Sequence, residues 1–137
     1  MRAHEIMEGI DPASISIKIE GSWKDRLFIT AFEHVPEDRR WLNGDSIDIG
    51  DATVDIISDG SAYLNRIDIT YGKGQGRGPV VVTKILAELQ KHGISYVTAY
   101  VEHRNAISRS MFMKLGFTKM KSEDWDAQYG DYLRKDL

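Results

Sequence analysis

The sequence contains no cysteine, and this absence is the first constraint on its chemistry. It excludes a disulfide framework, thiolate metal sites and a cysteine nucleophile. Long apolar runs are also absent, and the residues after Met1 are mixed and polar, so we expect a cytoplasmic protein with no membrane partner. The formal net charge at pH 7 is only −3, which gives no general attraction to nucleic acid.

What is present is the composition of one ordinary globular domain. The chain has 137 residues, of which 42% are hydrophobic and 28% are charged. A chain of this size can bury a core without support from metals or disulfides. We therefore predict a single domain over residues 1–137, and the sequence leaves open whether it forms a homodimer.

The first half of the chain alternates apolar and polar residues, a pattern typical of antiparallel strands. Strands are predicted at residues 14–20, 27–35 and 62–70, after a short helix within residues 2–10. Residues 46–49 and 52–57 are interpreted as a hairpin, with Gly50 and Asp51 as its turn.

Four aspartates in the predicted hairpin resemble a metal site at first sight: Asp45, Asp48, Asp51 and Asp55. The alternation places them opposite the apolar residues, on the solvent side of the strands. We therefore predict a wetted face there and no metal ion.

The second half changes to helical periodicity. Five apolar residues share one face of a helix predicted from Pro79 to His92: Val81, Val82, Ile85, Leu86 and Leu89. A strand at 94–101 follows, then a second helix at 105–115 with Asn105 as its cap and Gly116 as its stop. Two final strands are predicted at 117–122 and 131–137.

A glycine-rich loop, Gly72 to Gly78, lies between a predicted strand and a predicted helix. In that position, backbone amides and a helix N-terminus can bind a phosphate. The loop is not a nucleotide triphosphatase P-loop, because Gly78 is followed by Pro79 rather than by Lys-Ser/Thr. It also lacks the third glycine of the dinucleotide fingerprint. On the loop alone, a flexible turn remains an equal interpretation.

Two segments in one register resemble the GCN5-related N-acetyltransferase family. Residues 73–78, Lys-Gly-Gln-Gly-Arg-Gly, match its Gln/Arg-x-x-Gly-x-Gly/Ala motif with lysine in first place. Residues 105–117 are similar to its second helix, Asn-x-x-Ala-x-x-Leu-Tyr-x-Lys-Leu-Gly-Phe. The resemblance runs from about Ile67 to Phe117. It implies the α/β (α+β) fold of acyl-CoA N-acyltransferases: a mixed, mostly antiparallel sheet with helices on both faces and a splayed parallel strand pair.

The resemblance also implies acetyl-CoA or coenzyme A as cofactor. Amides of residues 74–78 would hold the pyrophosphate, and backbone groups of Ile67 and Ile69 would pair with the pantetheine arm. The implied cofactor-binding residues are Ile67, Ile69, Lys73, Gly74, Gln75, Gly76, Arg77, Gly78, Asn105, Ser108 and Phe112. The implied reaction transfers an acetyl group by direct attack of a primary amine, on a small molecule or a peptide.

One residue departs from the family pattern where it bears on catalysis. Phe112 stands where many relatives carry a tyrosine that protonates the departing thiolate, and phenylalanine has no proton to give. Tyr100 and Glu102 are the candidate catalytic residues that remain near the implied site, with His103, Asp68 and Asp48 as further candidates for a base. The alternative is a non-catalytic acyl-CoA-binding or interaction protein.

Overall fold

The structure, a computed structural model, describes residues 11–35, 44–72, 76–121 and 129–137. The described residues form seven strands and two α-helices, after a 3₁₀ turn at Pro12–Ser14. The strands are β1 (Ile15–Gly21), β2 (Arg26–His34), β3 (Ser46–Ile56), β4 (Ala62–Ile69), β5 (Tyr96–Glu102), β6 (Thr118–Lys119) and β7 (Gly130–Asp136). The helices are α1 (Arg77–Lys91) and α2 (Ala106–Lys114). The predicted helix within residues 2–10 lies outside the described residues.

All seven strands lie in one sheet, in the order β1-β2-β3-β4-β5-β7-β6. Neighbouring strands are antiparallel except β4 and β5, which are parallel and are joined through α1. A parallel pair requires such a crossover, since a short turn can only reverse the chain. The predicted mixed, mostly antiparallel sheet is confirmed.

The hydrophobic core lies between one face of the sheet and the two helices. Helix α1 buries all five apolar residues of its predicted face, and Phe112 and Phe117 extend the same cluster towards α2. Apolar side chains spaced by three and four residues fall on one side of a helix, and burial of that side holds α1 on the sheet. None of the described helices is long and apolar enough to span a membrane.

The predicted hairpin at residues 46–57 is wrong, because β3 is one continuous strand. Its pairing with β2 shifts register between Ala31 and Phe32, so β3 carries a bulge where a turn was expected. A Cβ on Gly50 would lie 2.3 Å from the carbonyl oxygen of Asp68. The glycine therefore allows close approach of two strands, a role that a glycine inside a strand often has.

The aspartates of β3 contact cations and backbone on its solvent side. Asp51 accepts a hydrogen bond from Arg66 at 2.6 Å, and Asp55 accepts one from Arg26 at 2.5 Å. The hydrogen bond from Arg26 is the main cause that lowers the pKa of Asp55, and burial opposes the shift. Across the described ranges no group of three or more histidine, aspartate or glutamate side chains is placed to hold a metal ion.

Helix α1 begins two residues before the predicted start. Arg77 and Gly78 precede Pro79 inside the helix, so the proline occupies the third helical position. A proline is tolerated throughout the first turn, because the amides there have no acceptor within the helix. Its presence therefore indicates the first turn without marking the first residue.

Candidate functional site

A cleft opens where the parallel pair β4 and β5 separates. The two strands are paired only at Ala62–Val97, Tyr63–Thr98 and Leu64–Ala99, although β4 continues to Ile69 and β5 to Glu102. The space between them has a volume of about 270 Å³. It is lined by Leu64, Asn65, Arg66, Ile67, Ala99, Tyr100, Val101, Glu102, Asn105, Ser108 and Phe112. The predicted splay is therefore present at the predicted strand pair.

A bulge in β4 coincides with the point of separation. The register between β3 and β4 shifts between Thr53 and Val54, which leaves Asn65 as the extra residue. Such a bulge bends a strand and increases its twist. Sequence reasoning did not identify Asn65 or Arg66 as lining residues. The signal was present, since the apolar residues Leu64 and Ile67 are three positions apart instead of two.

Helix α2 closes one side of the cleft with Ser108 and Phe112. They are four positions apart in sequence, so they lie on one face of the helix. Asn105 caps the helix, its side-chain oxygen accepting a hydrogen bond from the Ser108 amide at 3.2 Å. Phe112 is only 4% exposed and meets Phe117 edge-on, with 5.0 Å between ring centroids. Its ring is therefore held in place by core packing while it lines the cleft.

The N-terminus of α1 lies beside the end of β4. Gly76 precedes the helix with φ of 89°, a left-handed conformation that suits glycine, and as the N-cap residue it makes no side-chain hydrogen bond to the first turn. A Cβ on Gly78 would lie 3.2 Å from Met111 Sδ of α2 and 3.8 Å from Ile69. Glycine at this position lets α1 approach both neighbours closely. Arg77 and Gly78 keep their amide N–H groups, whereas Pro79 has none.

The remaining predicted loop residues divide into two groups. Lys73, Gly74 and Gln75 lie outside the described residues. The Arg77 side chain is buried and forms an ion pair with Glu33 of β2. Ile69 is near Gly78 rather than on the cleft lining, which Ile67 does reach.

The candidate catalytic residues lie at the end of β5. Ala99 and Val101 are buried in the core, so alternation turns Tyr100 to the opposite face, where its ring lies 4.9 Å from that of Tyr132. Tyr100 and Phe112 thus present their rings to opposite faces of the sheet. Glu102 accepts a hydrogen bond from Arg104 at 2.7 Å, and its side chain is half exposed.

A buried carboxylate lies under α2, and sequence reasoning did not single it out. Asp131 of β7 is 3% exposed and accepts a hydrogen bond from Arg109 of α2. His103 and Lys119 each place a nitrogen 3.6 Å from its oxygens. The bond from Arg109 is the main cause that lowers the pKa of Asp131 below its usual range, and burial opposes the shift. Asp131 therefore links α2 to the sheet beside the cleft.

Several solved structures share this architecture. The PaiA N-acetyltransferase of Thermoplasma acidophilum, solved with coenzyme A, is 22% identical with a TM-score of 0.62, over 82% of this chain and 62% of its own. A Bacillus subtilis acetyltransferase, also solved with coenzyme A, is 12% identical with a TM-score of 0.69, and the alignment covers 90% of this chain and 99% of that protein. The GNAT domain of the S. lividans protein PAT is 22% identical with a TM-score of 0.65, and the alignment covers 86% of this chain and 64% of that domain's chain.

At these identities the likeness shows the fold, and the chain spans less than two thirds of the Thermoplasma protein. No curated protein matches the sequence significantly. Residues 56–126 match the family model described as FR47-like protein, which is more than half of the chain. The match covers β4, the glycine loop, α1, β5 and α2, which include the elements that line the cleft. The protein therefore belongs to the GCN5-related N-acetyltransferase family, as an FR47-like member.

Proposed function

We propose that the protein is an acetyl-CoA-dependent N-acetyltransferase that acts on a primary amine of a small molecule or a peptide. The observation that carries the proposal is the early end of the β4–β5 ladder. Beyond Leu64 and Ala99 each strand turns one edge towards the cleft instead of towards the other strand. An extended chain with amide groups, such as a pantetheine arm, can pair with such edges as an added strand would.

The N-terminus of α1 suits the phosphates of the same ligand. Its N-cap residue, Gly76, has no side chain to bond the first amides, and its first turn carries no acidic residue. The positive end of a helix dipole favours an anion there. Two related structures, from Thermoplasma acidophilum and Bacillus subtilis, were solved with coenzyme A. Family membership, the open strand edges and the helix N-terminus together support coenzyme A as the ligand.

The proposed reaction is a single displacement at the thioester carbonyl. The neutral amine nitrogen attacks the carbonyl carbon, the new C–N bond forms, the C–S bond breaks, and coenzyme A leaves as a thiolate. The amine proton passes to water or to a carboxylate such as that of Glu102. A thiol has a pKa of about 8.5, so its anion leaves without an obligatory acid near neutral pH. Positioning of the amine would supply much of the rate.

A non-catalytic acyl-CoA-binding protein is the second candidate, and Phe112 favours it. The face of α2 that lines the cleft has this apolar ring at the position where many relatives carry a tyrosine. The two candidates differ in turnover and not in cofactor binding, so one assay separates them.

The assay measures binding and turnover in the same preparation. Acetyl-CoA at about 100 times its Kd should raise the melting temperature on the order of 5–10 °C, because the ligand stabilises only the folded state. Turnover with a panel of amines is followed by a thiol reagent, and the absence of cysteine means that released coenzyme A is the only thiol present. Binding without turnover for every amine would favour the second candidate.

The glycine loop is tested by a pair of substitutions at Gly76. Gly76→Asp should abolish the thermal shift, since it places a negative charge beside the proposed pyrophosphate position. Gly76→Asn is the matched control, because asparagine has the same shape and also tolerates a left-handed conformation. The asparagine variant should keep most of the shift. Equal binding by the aspartate variant and the parent would show that the phosphates lie elsewhere.

A further inference from the structure

Arg77 lies between the last two glycines of the glycine motif, yet its side chain points into the protein. The side chain is only 9% exposed, whereas that of Glu33 is 22% exposed. Arg77 Nε donates to Glu33 Oε1, and Nη2 donates to Oε2 at 3.2 Å. This is the fork of two parallel bonds by which a guanidinium holds a carboxylate in a fixed orientation.

Two further contacts extend this pair to the residues before α1. Arg77 Nη1 lies 3.4 Å from the carbonyl oxygen of Gly72, and the Arg77 guanidinium lies 5.3 Å from the centre of the Tyr71 ring. One side chain, that of the first residue of α1, thus contacts both β2 and the chain that leaves β4. These are the elements that set the direction of the first helical amides.

We propose that Arg77 is a positioning residue whose guanidinium, held by Glu33, orients the N-terminus of α1 for the pyrophosphate without touching it. The inference rests on the proposed function, since it concerns the same cofactor. What Arg77 offers to the phosphate is its backbone amide. Its positive charge is matched by the carboxylate of Glu33, which a partly buried guanidinium requires.

The alternative is a direct contact between Arg77 and a phosphate, and the two roles predict opposite effects at Glu33. If Arg77 contacts the phosphate, Glu33→Gln removes a competing anion and releases the guanidinium, so coenzyme A should bind equally or more tightly. If Arg77 positions the helix, Glu33→Gln leaves the guanidinium, and with it the N-terminus of α1, less firmly oriented. Coenzyme A should then bind more weakly, although a negative charge has been removed. Charge alone cannot produce that weakening.

The experiment is a calorimetric titration of the parent, Glu33→Gln, Arg77→Lys and the double variant with coenzyme A. Lysine keeps the charge and can pair with Glu33, but it cannot form the fork. We expect each single variant to weaken binding about tenfold, and the double variant to be little worse, because groups that act as one unit are not additive. Glu88→Gln is the matched control, since it removes the carboxylate that holds Lys91 at the other end of α1 and should leave the Kd unchanged.

Melting temperatures without ligand show whether each variant folds. A merely structural role would lower the melting temperature and leave the Kd of the folded protein unchanged, which overturns the proposal. Parent-like or tighter binding by Glu33→Gln also overturns it. If Glu33→Gln does not fold, Arg77→Lys decides, because a direct phosphate contact would survive the exchange of one cation for another. A parent that binds no coenzyme A would instead refute the proposed function.

Discussion

At the scale of single residues, Phe112 decides how the proposed chemistry is understood. Its ring lines the cleft, is held against Phe117, and lies on the face of the sheet opposite the Tyr100 ring. If the Tyr100 hydroxyl were the acid, it would have to reach the departing thiolate through the gap between β4 and β5, because it does not lie on the same face as Phe112. The departure of the thiolate without a side-chain acid is the simpler interpretation.

Phe112→Tyr tests this interpretation. In a working enzyme, the tyrosine variant should turn over at least as fast as the parent at neutral pH. The gain could reach on the order of a hundredfold, because general acid catalysis typically accelerates a reaction by that factor. Turnover is measured with the best amine of the panel. Phe112→Leu is the control for altered packing and should not raise the rate. A tyrosine variant that binds coenzyme A normally but is slower than the parent would argue against a need for an acid here.

The family resemblance predicted part of this cleft. The register that aligned the glycine motif with Asn105 placed Ile67, Ser108 and Phe112 together, and all three line the cleft. That they bind the cofactor stays a prediction. The direction of the Arg77 side chain could not be predicted. It depends on Glu33, which is 44 positions away in sequence and adjacent only after β2 and α1 have packed.

At the scale of the elements, α2 is held to the sheet by both apolar and polar contacts, with Phe112 in the core and Arg109 bonded to Asp131. It is a nine-residue helix in which only Phe112 is buried. Isolated helices of this length are marginal in water, so tertiary contacts must hold it. The bond from Arg109 to the buried Asp131 is one such contact, and His103 and Lys119 face the same carboxylate.

Asp131→Asn should therefore destabilise the protein in a pH-dependent way. The folded pKa of Asp131 is depressed, chiefly by the bond from Arg109, so its contribution to stability is full above the unfolded pKa of about 3.9. That contribution is lost as pH falls through the folded pKa. At pH 7 we expect a loss on the order of 2–3 kcal/mol in the free energy of unfolding, and the gap from the parent should narrow below about pH 4.

Urea unfolding at several pH values between 3 and 7 measures this gap. Asp136→Asn is the control on the same strand, because the Asp136 side chain is 75% exposed and forms a surface pair with Arg134. It should change stability by no more than about 1 kcal/mol at pH 7. A gap for Asp131→Asn that does not depend on pH would mean that packing, and not the charge, is what Asp131 contributes.

The elements also show why strand boundaries were harder to predict than strand existence. In β3 the apolar phase shifts between Ile49 and Ala52, and in β4 it shifts between Leu64 and Ile67. The sequence pattern predicts a turn at the first shift and one regular strand across the second, yet the structure has a bulge at both. A phase shift indicates that one residue is inserted, but only pairing with a neighbouring strand decides between a bulge and a turn.

At the scale of the whole molecule, the strands on either side of the cleft are hydrogen-bonded to their outer neighbours, and the sheet opens between β4 and β5. β2, β3 and β4 are paired over most of their length, and β5 is paired with β7 from Tyr96 to Glu102. Each strand bordering the cleft is therefore held firmly on its outer side. The opening is a built feature of a rigid sheet and does not require the strands to separate when a ligand enters.

Hydrogen exchange tests this arrangement without knowledge of the acceptor amine. Without ligand, amides of residues 65–69 and 100–102 that face the cleft should exchange quickly, whereas those that face β3 or β7 should be protected by the ladders. Coenzyme A at about 100 times its Kd should slow the cleft-facing amides on the order of 10–100-fold. The part of the β1–β2 ladder where Lys18–Gly21 pair with Leu27–Thr30 provides the internal control. It should not respond, since it lies on strands that do not border the cleft and away from Glu33. Protection that appears across the whole sheet would indicate a general gain in stability, and protection outside the cleft alone would place the ligand at a different site.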